Sequence, residues 1–173
     1  MTTLKRVLLI LLTVVWCVGC DQVTKSIAKS HLPKSQMLSF VGDTVRLQYT
    51  ENKGAFLSLG ASLSENWRGM IFTGGVATFL LGVLGYLLVA SNLPAVTVLA
   101  FSLVLGGGLS NLLDRIAYGG YVVDFINLGI GSLRTGIFNA ADVAITIGVL
   151  LVVFGGQWQR KLSASNQSLQ TDC

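Results

Sequence analysis

Read for its alternation of apolar and polar positions, the chain divides into four long apolar runs separated by two polar segments and one tight turn. Apolar runs at residues 4–21, 67–90, 95–113 and 137–158 are each near the ~20 residues that a helix needs to cross a bilayer. Gly74, Gly75, Gly82 and Gly85 in the second run allow close helix approach. Trp67 and Arg68 at its start form an expected interface anchor. Ser91-Asn92-Leu93-Pro94 is a turn that makes the second and third runs antiparallel neighbours. Residues 22–66 are mixed and polar, too long for a bare connection, and loops of that length usually carry function. Within them Thr44 to Thr50 alternates with period two and reads as a strand, and Asn52-Lys53-Gly54 reads as a turn. The pattern predicts one helical membrane domain over residues 1–162, with a small β-rich extramembrane layer. A disordered cytoplasmic tail is expected at 163–173.

Composition supports lipid as the solvent. Hydrophobic residues make up 52% of the chain, charged residues 12%, and the mean hydropathy is +0.68; a soluble domain carries about twice that charge. The net charge of +4 is scattered, with no basic run and no aromatic–basic interleaving, which argues against a nucleic-acid partner. Lys5, Arg6, Arg160 and Lys161 hug the membrane ends, while the cations of the other loops are more numerous but dispersed. Tight flanking charge carries more weight, so both termini are expected in the cytoplasm, and residues 22–66 and 114–136 together outside.

Cys17, Cys20 and Cys173 show neither a disulfide framework nor zinc spacing with the single histidine, His31. Cys17 and Cys20 are expected as small packing residues, and His31 as a loop residue. The head of the chain resembles a secretory signal ending at Val-Gly-Cys20. The rest of the chain is itself apolar, however, so the first run is expected to be a retained helix.

The chemistry lies between Gly106 and Asp142. Three of only 8 acidic residues (Asp114, Asp124, Asp142) stand there at the margins of apolar runs, with Asn111, Asn139 and Arg115. Ionisable groups at membrane depth are costly and read as functional by default. Asp124 follows a short β-branched stretch, and Asp142 opens the fourth run. In a partly dry site two such carboxylates cannot both ionise cheaply and titrate as a unit, the arrangement used by aspartic proteases. Asp142 as a helix cap and Asp124 as the partner of an arginine is an equally open reading. Asp114 is followed directly by Arg115, which favours an ion pair between them. Asn111 and Asn139 offer neutral donors and acceptors for a peptide backbone, or hydrogen bonds at helix ends.

Five stretches then carry a resemblance: Asp21-Gln22-Val23-Thr24-Lys25, Asn52-Lys53-Gly54-Ala55-Phe56, Asn111-Leu112-Leu113-Asp114-Arg115, Val122-Val123-Asp124-Phe125-Ile126 and Phe138-Asn139-Ala140-Ala141-Asp142. In this order the chain resembles the lipoprotein signal peptidase (signal peptidase II) family of bacterial membrane aspartic proteases. The resemblance implies a bundle of four transmembrane helices with an extracytoplasmic β-cradle in the cell membrane. It also implies cleavage of prolipoproteins before a diacylglyceryl-modified cysteine, at an active site near the periplasmic face. Asp124 and Asp142 match the catalytic dyad, and Asn52, Asn111, Arg115 and Asn139 match residues around the substrate backbone. Asp21 and Lys25 match a supporting polar pair, to which Asp114 is added. No metal or cofactor is implied. The implied partners are lipid-modified prolipoproteins, membrane lipid and the cyclic peptide inhibitor globomycin, with the enzyme a monomer. Ser110 stands where the family usually has glycine, and the loop between Asp114 and Asp124 is one residue longer than common. Of the other classes, a proton-coupled carrier would show internal repeats and mid-span charges, which are absent from the sequence. A non-enzymatic lipoprotein anchored at Cys20 would lose its first nineteen residues.

Overall fold

The computed structural model describes residues 1–54 and 63–171, with Glu65, Arg68 and residues 156–171 described by backbone alone. Five α-helices and a four-stranded antiparallel sheet follow in the order α1 (Thr3–His31), β1 (Leu38–Phe40), β2 (Val45–Asn52), α2 (Glu65–Arg68), a π-helical stretch (Gly69–Gly75), α3 (Val76–Val89), α4 (Ala95–Ala117), β3 (Val122–Ile130), β4 (Leu133–Arg134) and α5 (Ala140–Thr171). Among the described residues three helices are long and apolar enough to cross a membrane, Thr3–His31, Gly69–Val89 and Ala95–Ala117. The described apolar stretch of α5, Ala140–Gly155, is shorter.

The helix limits correct the sequence reading in three places. The first helix was expected to stop at Asp21 but runs on to His31, which closes it rather than lying in a loop. No proline or glycine interrupts residues 21–31. At 1.5 Å per residue α1 is about 43 Å long, longer than the ~30 Å hydrocarbon core. Likewise α4 carries Asp114 and Arg115 as helical residues, so the loop begins after Ala117 and not at residue 114. The tail expected to be disordered from residue 163 continues α5 to Thr171; nothing after Gly156 breaks a helix. Ala55 and Phe56 of the second motif lie outside the described residues, as do the side chains of Arg68, Arg160 and Lys161.

Helix α4 is the centre of the bundle, packed against α1, α3 and α5. Three consecutive glycines make that possible. Successive residues on a helix point 100° apart, so each of the three faces a different neighbour. A Cβ on Gly106 would meet Cys17 of α1 at 2.8 Å, one on Gly107 the carbonyl oxygen of Ala141 of α5 at 2.5 Å, and one on Gly108 Leu80 of α3 at 2.7 Å. Close approach of helix backbones through small residues is how helices associate where lipid removes the hydrophobic drive. Around this contact Ile10, Leu80, Val83, Leu87, Val98, Leu105 and Leu112 form the buried apolar core. Cys17 is buried, as expected, whereas Cys20 is exposed. The Arg6 guanidinium donates to the carbonyls of Ala90 (2.6 Å) and Leu87 (3.3 Å), a cation placed on the negative end of α3. Large apolar side chains are exposed along α1, α3 and α5, including Leu12, Trp16, Phe79, Leu81, Val153 and Phe154, the surface of a molecule dissolved in lipid.

The expected strand at 44–50 is β2, two residues longer at its far end, and its strand order is β1-β2-β3-β4. One register shift matters. Leu47 faces Ile126, yet Thr50 faces Asp124, so β2 carries one extra residue between them. Side chains alternate faces along a strand. Without this bulge Asp124 would oppose Tyr49, and Asn52 would point to the other face. With it, Asn52 shares the Asp124 face. Bulges re-aim side chains in this way beside active sites.

Candidate active site

The polar residues converge where α1, α4, the start of α5 and β3 meet. On α1, Asp21 and Lys25 are one turn apart, and their side chains meet at 2.6 Å. The three N–H bonds of Lys25 have three acceptors: Asp21 Oδ2, Asp114 Oδ2 at 2.9 Å and Asn111 Oδ1 at 2.8 Å. Lys25, Asp21 and Asp114 are 4%, 0% and 1% exposed. Each carboxylate also accepts two further hydrogen bonds. Asp21 accepts from the Ser110 hydroxyl (2.7 Å) and the Ala141 backbone N–H (2.8 Å). Asp114 accepts from Gln22 Nε2 (2.8 Å) and the Val123 N–H (3.2 Å). A buried charge persists only when paired and hydrogen-bonded, and here both conditions are met.

Asp114 is thus the partner of Lys25. The ion pair expected with Arg115 does not form, because adjacent residues on a helix diverge and do not face each other. Arg115 instead donates to the carbonyls of Gly54 (3.0 Å) and Asn111 (3.2 Å). Asn52 accepts from the Gly54 N–H at 2.9 Å, so the Asn52–Gly54 turn is tied to α4. The Nε of Arg115 is buried with no hydrogen-bond partner among the described residues.

Asn111 and Asn139 link the two remaining acids. Asn139 Nδ2 lies 2.7 Å from Asp124 Oδ1 and 3.1 Å from Asn111 Oδ1, and Asn111 Nδ2 donates to Asp142 Oδ1 at 3.0 Å. Asn52 Nδ2 donates to the other Asp124 oxygen at 2.9 Å. Phe138 pairs with Ile126 of β3 just before α5 begins, which sets Asn139 beside Asp124. Asp142 also caps its helix. Its Oδ2 accepts from the Asn139 N–H (3.2 Å), and its own N–H donates to Asn139 Oδ1 (3.0 Å), a reciprocal capping box. The two roles left open for Asp142 are compatible in one residue. No arginine lies within ion-pair distance of Asp124 among the described residues.

Burial pushes the Asp124 carboxyl up to about 6. The hydrogen bond from Asn52 pulls it down, the Asp142 charge pushes it up, and Asn139 and Lys25 pull it down. This is a carboxylic acid able to hold or release a proton near neutrality.

Asp142 lies between two grooves. One, of about 400 Å³, is lined by Phe72, Val76, Asn111, Arg115 and Ile145 among others, with the π-helical stretch forming one wall. The second, of about 250 Å³, runs along Phe138, Val143 and Ile147. Two contributors were missed in the sequence. Gln22 and Ser110, to which the motifs assign no part in the site, both hydrogen-bond the buried carboxylates. A serine and a glutamine one turn from charged residues in apolar helices was the available signal.

A bundle of apolar helices with a buried network of acids and amides opening onto apolar grooves defines a multi-pass membrane enzyme. A family model described as signal peptidase (SPase) II matches residues 13–156. The lipoprotein signal peptidase of Moorella thermoacetica is 34% identical over 157 residues, covering 91% of this chain and 95% of that one. That of Syntrophus aciditrophicus is 33% identical over 150 residues, 86% and 92% of the two chains. A solved bacterial membrane enzyme superposes with a TM-score of 0.75 at 27% identity over 87% of this chain and 88% of that one; a second does so at 0.72 and 26%. The chain belongs to the signal peptidase II family, and is a protease of the bacterial membrane.

Proposed function

We propose that this chain is a membrane-embedded aspartic endopeptidase that removes the signal peptide of prolipoproteins on the N-terminal side of a diacylglyceryl-modified cysteine. The observation that carries the reading is the hydrogen-bonded bridge Asp124–Asn139–Asn111–Asp142 at the edge of an apolar groove. One carboxylate takes a proton from water as the water oxygen attacks the scissile carbonyl, while the other, protonated, donates to the carbonyl oxygen. Collapse of the tetrahedral diol returns a proton to the leaving amide nitrogen. Asp124, with its raised proton affinity, is suited to exchanging that proton near neutral pH. Asn111, Asn139 and Asn52 orient the acids without adding charge. Arg115, which lines the groove, adds a cationic guanidinium beside the acids for a substrate backbone. An apolar groove lets a lipid-modified substrate keep its acyl chains in hydrocarbon while its peptide reaches the acids. In this reading α5 is the fourth span, both termini are cytoplasmic, and the sheet and acids lie at the outer face. The names of the relatives and the family match support the same substrate.

The test is cleavage of a lipid-modified prolipoprotein in detergent by the parent, Asp124→Asn and Asp142→Asn, each checked for folding. Loss of activity in both variants supports the dyad. Near-parental activity in either one removes that residue from catalysis, and failure of the parent on a verified substrate overturns the reading.

A further inference from the structure

The end of the sheet far from Asp124 has no part in the site. Val45 pairs with Phe40 on one side and with Leu128 on the other, and Gly129 and Ile130 pair with Arg134 and Leu133. The β1–β2 turn and the β3–β4 turn therefore lie side by side at one end of the sheet. They are tied together by the Gly129 N–H to the Thr44 carbonyl at 2.9 Å and by Arg134 to the Asp43 carbonyl at 2.8 Å.

Turn tips in water are built from Gly, Asn, Asp and Ser. Gly42, Asp43, Gly131 and Ser132 follow that rule, but the positions flanking them are exposed and apolar: Val41 is 77% exposed, Ile130 79% and Leu133 83%, with Phe40 beside them at 47%. Val41 has a φ of 54°, a left-handed conformation that a β-branched residue adopts only under strain. The turn thus holds an aliphatic side chain outward in a conformation that glycine or asparagine would adopt more easily. An exposed apolar cluster of this kind marks an interaction surface.

Two features say what covers it. Arg46 and Arg134 stand behind the tips and share the single acid Asp43, at 2.5 Å and 3.5 Å, which leaves a net positive collar. An apolar tip with a cationic collar matches the bilayer interface, where apolar groups enter the acyl region and arginines meet phosphates. The surface is also continuous with the lipid-facing side of the bundle. From Leu133 the chain reaches Ala140, the start of α5, in seven residues, so Leu133 lies within about 25 Å of that helix. The connecting segment, through Thr135, Gly136 and Phe138, lines the groove that leads onto the exposed Val143 and Ile147 of α5.

We propose that the paired hairpin tips, through Phe40, Val41, Ile130 and Leu133, enter the leaflet on the sheet's side of the membrane and hold the sheet against the bilayer. This fixes the height of β3, and with it of Asp124, relative to the lipid. The inference needs only a membrane-spanning bundle and does not depend on the substrate.

The test places a nitroxide at position 41, 130 or 133 through single cysteines, in a chain whose Cys17, Cys20 and Cys173 are alanine. The protein is reconstituted in bilayers of phosphatidylethanolamine and phosphatidylglycerol. At all three positions, accessibility to oxygen is expected to exceed accessibility to a water-soluble nickel chelate several-fold. Greater access to the chelate overturns the proposal. So does spin–spin broadening that vanishes on dilution with unlabelled protein, which would make a second copy the cover. If the cysteine-free chain does not fold, Leu133→Trp in the parent gives the same reading. Quenching of the added emission by lipids brominated on the acyl chain supports the proposal, and emission as in water without quenching overturns it.

Discussion

Replacing Lys25 by methionine keeps the length and apolar stem of the side chain and removes only its charge and donors. Asp21 and Asp114 then remain 0% and 1% exposed with no cation within ion-pair reach among the described residues. Removing one partner of a buried pair costs about 3–5 kcal/mol because the other charge is left uncompensated. The donors that stay in place, Ser110 Oγ, Ala141 N–H, Gln22 Nε2 and Val123 N–H, put the expected loss near the lower end of that range. A second consequence reaches the acids of the proposed dyad. Lys25 donates to Asn111 Oδ1 and so fixes that amide with its Nδ2 toward Asp142. Without it only the Asn139 Nδ2 bond at 3.1 Å holds the Asn111 oxygen in that orientation, so the amide is less firmly set and kcat falls more than KM rises. Denaturant unfolding in detergent micelles is the assay, with Asp114→Asn and the double variant completing a cycle. The double variant should recover part of the loss, since one unpaired charge has gone. A loss below about 1 kcal/mol, the worth of an exposed ion pair, would refute the view of Lys25 as the charge that permits this buried network.

Gly107→Ala puts a Cβ where the Ala141 carbonyl oxygen lies 2.5 Å away; about 1–3 kcal/mol of stability and most of the activity should be lost, whereas Gly85→Ala, with open space around it, should be near neutral by thermal unfolding. Ser110→Ala removes the hydroxyl donor to Asp21, and a loss of about 1–2 kcal/mol is expected by the same assay. The raised Asp124 carboxyl, 3.8 in its ordinary state and about 6 in the folded protein, binds a proton more tightly when folded. Its contribution to stability is therefore fully present below about pH 4 and lost as pH rises through about 6, by at most about 3 kcal/mol, and a pH series of unfolding midpoints for the parent against Asp124→Ala isolates it. Because the Asp142 charge is among the causes that push Asp124 up, Asp142→Asn should lower the Asp124 midpoint in an infrared titration of its carboxyl stretch; an unchanged or higher midpoint would separate the two acids.

The apolar runs determined the helices, because lipid demands long uninterrupted stretches whatever lies next to them. The acids at run margins marked where chemistry would lie. The close approach expected at Gly74, Gly75, Gly82 and Gly85 falls on Gly106, Gly107 and Gly108 instead, because Gly74, Gly82 and Gly85 face open space and Gly75 meets only its own helical turn. Local pattern said less about where helices end: α1 and α4 continue into polar sequence because Asp21, Lys25 and Asp114 find partners across the bundle, not along the chain. The tertiary structure alone decided those partners. Asp114 pairs with Lys25 from a residue 89 positions away, and not with its neighbour Arg115, since helical geometry turns adjacent side chains apart. It also decided that Asn52 reaches Asp124, which depends on one extra residue in β2 that no periodicity revealed. Sequence patterns report what a residue must be dissolved in; which residue it meets is set by register and helix crossing, and these exist only once the chain has packed.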